Sequence, residues 1–131
     1  MLELDKLIEI AKNYKYDNLP ISYNADHYTR TPIFKNDELE IVVICFSPGQ
    51  SSSIHDHQGS NCVVSLVQGR LLENFFEKEG DYLNFQGNHY LFPGDTSGLD
   101  PTSIHQICNL SCTGSVLLNF YSPPFSTTKT P

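Results

Sequence analysis

His55 and His57 stand one residue apart in the stretch SSSIHDHQGSNC, residues 51–62, and a thiol, Cys62, follows five positions after the second. In an extended strand residues i and i+2 share a face, so the two imidazoles are expected to project together while Asp56 points the other way. Neutral imidazole is the commonest protein ligand for a metal ion, and two on one face begin a coordination shell. A lone histidine on a strand is more often an ordinary core or surface residue. The pair at this spacing is what points to a metal.

Such a pair has to be carried by a scaffold, and the rest of the chain describes one. Short runs rich in Val, Ile, Leu, Phe and Tyr recur at 38–47 (ELEIVVICFS), 61–69, 70–78, 89–95 (HYLFPGD), 104–110 and 115–122 (SVLLNFYS), each closed by Gly, Pro, Asn, Asp or Ser. Leu4, Leu7, Ile8 and Ala11 fall at helical spacing, which predicts one amphipathic helix within residues 1–15. An all-β chain with one leading helix is therefore expected, as a single domain over 1–131 with a loose tail at 126–131. At 131 residues it is long enough to bury roughly two thirds of its unfolded surface.

Composition narrows the function classes. Eight Lys and Arg against fifteen Asp and Glu give a net charge of −7, the wrong sign for a nucleic-acid partner. The opening MLELDKLIEIAKNY mixes charges into its apolar positions, so it reads neither as an export signal nor as a membrane span. A cytoplasmic monomer is expected, with Cys45, Cys62, Cys108 and Cys112 as thiols rather than bridges.

The glycines and histidines also fall in a recognisable order. Gly49, five residues, His55-x-His57, four residues, Cys62, six residues and Gly69 make one half; Gly87, the Pro93-Gly94 turn, His105 and Asn109 make the other. Together they resemble the two motifs of a cupin, implying a small double-stranded jelly-roll β-barrel with its metal inside. His105 then supplies a third imidazole. Cys62 occupies the place where a cupin usually has a ligating glutamate. Imidazole suits Zn, Cu, Fe and Ni alike, but three of them with no carboxylate leave open positions and the full charge of the ion, which favours Fe(2+) and a thiol substrate.

Four segments in order resemble cysteine dioxygenase: YTRT at Tyr28–Thr31, SSIHDH with Cys62, IHQICN with His105, and YSPPF at Tyr121–Phe125. The resemblance implies iron(II) on His55, His57 and His105, L-cysteine and O2 as substrates, and cysteine sulfinic acid as product. It further implies that Arg30 and Tyr28 hold the substrate carboxylate, and that Cys62 forms a thioether crosslink to Tyr121. A guanidinium suits the first task because its planar fork makes two parallel hydrogen bonds to a carboxylate. The phenol of Tyr121 suits hydrogen bonding to oxygen. A cis Ser122–Pro123 bond is expected to aim Tyr121 and Ser122 into the pocket.

Two positions depart from the pattern of the mammalian members: Asn119 replaces a histidine and Leu117 a serine. Asparagine still donates to a phenol oxygen, but it does not change protonation near neutral pH. These departures keep in view a non-catalytic cupin that binds a metal or a thiol, and because Arg30 speaks for a carboxylate but not for an amine, a dioxygenase for another small thiol such as 3-mercaptopropionate stays in view as well. His89 and His27 are expected to be structural or peripheral.

Overall fold

In the computed structural model of the protein, residues 1–125 are described, and the loose tail expected at 126–131 lies outside them. The order is α1 (Leu4–Asn13), β1 (Thr29–Lys35), β2 (Glu40–Phe46), β3 (Asn61–Gln68), β4 (Leu71–Glu79), β5 (Tyr82–Leu91), β6 (Thr96–Leu99), β7 (Ile104–Cys108) and β8 (Ser115–Ser122). The strands form two antiparallel sheets, β1-β2-β8-β3-β6 and β5-β4-β7. They face each other across an apolar interior, the jelly-roll layout expected from the sequence. Among the described residues no helix is long and apolar enough to cross a membrane.

Alternation along β2, β3 and β8 divides their side chains between two cores. Val42, Ile44, Cys62, Val64, Leu117 and Tyr121 point into the space between the sheets. Ile41, Val43, Val63, Leu118 and Phe120 point out and are covered by Leu7 and Ala11 of α1. These strands are buried on both faces, which is why they read as continuous apolar runs. The helix seats closely over Gly98 on β6, where a Cβ would come within 2.8 Å of Ile8 Cδ1.

The turn from β3 to β4 places Gly69 at φ +88°, a backbone state that favours glycine, and Ser115 packs where a Cβ would stand. The Ser115 hydroxyl accepts from Arg70 N at 3.1 Å and donates to Arg70 O at 3.2 Å. That turn delivers β4 to the second sheet, opposite the strands just described.

Candidate metal centre

His55 and His57 lie in the segment between β2 and β3, outside any extended strand. A strand through them was expected. The structure instead gives single bridges, Ser51 with Cys108 and His55 with His105, and then a turn with Gln58 at φ 38° and Gly59 at φ 96°. A segment of serines, polar residues and glycine offers too few apolar side chains for continuous pairing. The Asp56 carboxylate accepts from Gln58 N at 3.2 Å, so it shapes this turn. His55 and His105 exchange both backbone hydrogen bonds, at 3.0 Å each, and this ties the segment to β7 beside the third histidine.

The three rings converge. Their centroids are 5.0 Å apart for His55 and His57, 4.7 Å for His55 and His105, and 4.9 Å for His57 and His105. One ligand nitrogen from each lies within 4.8 Å of the others, and among the described residues no carboxylate joins the cluster. His55 Nδ1 donates to the Ser53 carbonyl oxygen at 2.8 Å, and His105 Nδ1 donates to Glu73 Oε2 at 2.8 Å. Both hydrogen bonds fix the tautomer that leaves Nε2 with its lone pair.

These atoms fit a metal ion. His105 Nε2 and both nitrogens of His57 are buried without a hydrogen-bond partner among the described residues. Buried polar atoms left so are costly unless something coordinates them. Burial, reinforced by the charges of His105, His55 and Arg30, brings the His57 pKa down to about 2, and burial also lowers that of His55. Both imidazoles are therefore neutral near pH 7 and available as ligands.

Beside the histidines, β8 presents Tyr121, whose ring centroid is 6.0 Å from that of His57. Its oxygen accepts from Asn119 Nδ2 at 2.8 Å and from Arg30 Nη1 at 3.1 Å. Amide and guanidinium nitrogens only donate, so the phenol's own proton is left for a third direction. Burial, with the neighbouring Cys62, pushes the Tyr121 pKa up to about 12 against the opposing effect of those two donors. Asn119 thus keeps contact with the phenol, as expected, while Leu117 belongs to the apolar interior.

Cys62 is the cross-strand partner of Tyr121 in the β3–β8 register, and both are buried. Burial raises the Cys62 thiol pKa far above its usual value, keeping it protonated. Arg30 retains solvent access and lies over the Tyr121 ring, its Cζ 5.6 Å from the centroid. Tyr28 packs its ring on Phe46 at 5.0 Å, at the edge of the interior core. Phe125 stacks on Tyr121 at 5.0 Å and meets His57 edge-on at 5.7 Å. The Ser122–Pro123 peptide is cis. Ser122, however, is not aimed into the pocket: alternation along β8 puts it on the other face, where its hydroxyl accepts from Leu2 N at 2.7 Å.

Two buried acids went unread in the sequence. Glu73, on β4, is wholly buried and binds His105; Glu40, on β2, is wholly buried opposite Tyr121 and its charge acts on Arg30. The signal for Glu73 was there: it alternates with Leu71 and Phe75, the inward positions of an apolar strand.

The family model for cysteine dioxygenase type I matches residues 2–130. The chain belongs to the cysteine dioxygenase type I family. Cysteine dioxygenase type 1 of Danio rerio is 30% identical, aligned over 98% of this chain and 68% of its own length. Cysteine dioxygenase type 1 of Homo sapiens is 32% identical over 80% of this chain and 56% of its own length, so the chain spans little more than half of that relative. An RmlC-like cupin protein from Desulfovibrio desulfuricans superposes with a TM-score of 0.61 at 18% identity, covering 86% of this chain and 99% of that one. That likeness establishes the cupin fold. The three converging histidines form a group with the geometry to hold a metal ion.

Proposed function

We propose that this chain is a mononuclear non-haem iron(II) thiol dioxygenase that converts L-cysteine and O2 to cysteine sulfinic acid in the cytoplasm. The observation that carries the reading is the set of three converging imidazoles with no carboxylate among them, next to a phenol whose proton is free to point away from its two donors. Iron(II) held by His55, His57 and His105 would supply the electron-transfer chemistry that dioxygen needs. In the balanced reaction, sulfur loses four electrons, dioxygen gains them, and both oxygen atoms end on sulfur.

The chain's own groups then place the substrate. Arg30, with access to solvent, takes the carboxylate in a bidentate contact, and Tyr28 lies two residues before it on the same approach. A bidentate contact uses two of the five N–H groups of the guanidinium, which leaves others for the Tyr121 oxygen beside the Asn119 amide. Tyr121, protonated throughout the neutral range, donates toward the reacting oxygen. Orientation by these groups is the protein's contribution to rate. The Cys62–Tyr121 register also supports a thioether between Sγ and the ring, formed by loss of one proton and one electron from each partner with dioxygen as oxidant.

Metal content together with product mass after incubation with L-cysteine tests the reading. The expected result is one iron per chain and a product heavier than cysteine by both atoms of labelled dioxygen. A thiol bound without sulfinate formation would make the chain a binding module, and faster oxygen uptake with 3-mercaptopropionate would reassign the substrate.

A further inference from the structure

Three imidazoles leave an ion with its full charge, and the sequence offers no anionic ligand because Cys62 stands where cupins usually have glutamate. The structure holds a carboxylate one hydrogen bond further out. Glu73 is wholly buried, and its two oxygens are divided between two histidines: Oε2 with His105 Nδ1 at 2.8 Å and Oε1 with His89 Nε2 at 2.5 Å. The Ser97 hydroxyl adds a third contact, from a strand of the opposite sheet. Each oxygen of the buried carboxyl group thus faces a ring nitrogen or hydroxyl able to donate to it.

His89 is placed for this by register. It is the cross-strand partner of Glu73, and β5 is an edge strand, so its side chain is 46% exposed while touching a carboxylate at 0%. Its ring also meets Phe75 edge-on at 5.2 Å. A line of hydrogen-bonded groups therefore runs from solvent through His89 and Glu73 to a nitrogen-bearing ring of the metal site.

We propose that Glu73 is a positioning residue for the metal centre, supplying through His105 the negative charge that the ligand set lacks, and that His89 is the surface anchor that keeps its second oxygen occupied. A carboxylate accepting from a ligand imidazole fixes the ring and raises its basicity, and such outer partners affect metal affinity by roughly 10- to 100-fold. The charge also favours Fe(III) over Fe(II). The inference rests on the metal-site reading above.

The test measures Fe(II) and Co(II) affinity by chelator competition and the Fe(III)/Fe(II) midpoint potential, alongside folding by circular dichroism. Glu73→Gln is expected to bind Fe(II) about 10- to 100-fold more weakly. Its potential should rise by about 59 mV for each tenfold that Fe(III) binding weakens more than Fe(II) binding. Half-exposed His89 allows variants that fold even if Glu73→Gln does not. His89→Leu should weaken metal binding in the same direction by a smaller factor, and His89→Gln, whose amide nitrogen can take the Nε2 position, should restore it. If Glu73→Gln keeps the native affinity and potential, or if His89→Leu and His89→Gln behave alike, the proposal is overturned while the metal site stands. If the native chain binds neither ion, both readings fall.

Discussion

The two sheets face one interior yet are held in different ways. In the five-stranded sheet, β2 and β8 are buried along their whole length, packed by α1 outside and by apolar side chains inside. In the three-stranded sheet, β5 is exposed or half-exposed from Tyr82 to Tyr90, and the inward positions beside it carry Glu73 and His105. The first sheet presents Tyr121, Asn119 and Cys62 on a backbone fixed by packing. The second presents His105, its ring fixed by the hydrogen bond to Glu73. Rigidity for the organic side of the site comes from burial; orientation of the metal side comes from electrostatics.

Three substitutions probe that contrast. The largest effect is expected from His57→Ala, which should abolish stoichiometric metal binding in equilibrium dialysis while barely moving the melting temperature of the metal-free chain. It removes a buried imidazole that has no protein partner, so the apo fold loses no hydrogen bond. The converse should hold for Phe120→Ala. Phe120 is fully buried under the helix, edge-on to Tyr14, and its truncation should cost about 3–5 kcal/mol in denaturant unfolding with metal affinity unchanged. Should metal affinity collapse with it, the two sheets are not separable in this way.

The smallest effect is expected from Asn119→His, read in the pH dependence of turnover. In the native chain the raised Tyr121 pKa of about 12 means the phenol is protonated at neutral pH and loses its proton only as pH approaches that value. No break due to Tyr121 should therefore fall between about pH 6 and 9. The variant puts a titratable imidazole against the phenol and should add an inflection near the ordinary histidine value, about 6.5. A break in the native profile that vanishes in Tyr121→Phe would contradict the assignment.

The same contrast governs what could be read from the sequence. The strands of the packed sheet were legible at 38–47, 61–69 and 115–122 because burial on both faces leaves long β-branched and aromatic runs. What went unread was at the edges: β1 with Pro32 inside it, the polar first half of β5, and the four-residue β6, none of which needs an apolar run. The three histidines that converge were legible from spacing and family likeness, although not as a strand. Glu73 was hidden because a motif names the groups at the site itself, whereas this residue reaches the three histidines only through His105. Ser122 was misplaced because resemblance put it in the pocket while simple alternation along β8 turns it outward.

The segment that carries His55 and His57 is tied to β7 from Ser51 to His55, by the Ser51–Cys108 and His55–His105 bridges and by the bonds of Ser52 with Ile107 and Gln106. An ion joining His57 to His105 would add a crosslink just beyond the last of these bonds. Loading the site therefore doubles as a clasp, and the ease with which this stretch opens to solvent becomes a gauge of how much of the protein is charged with metal.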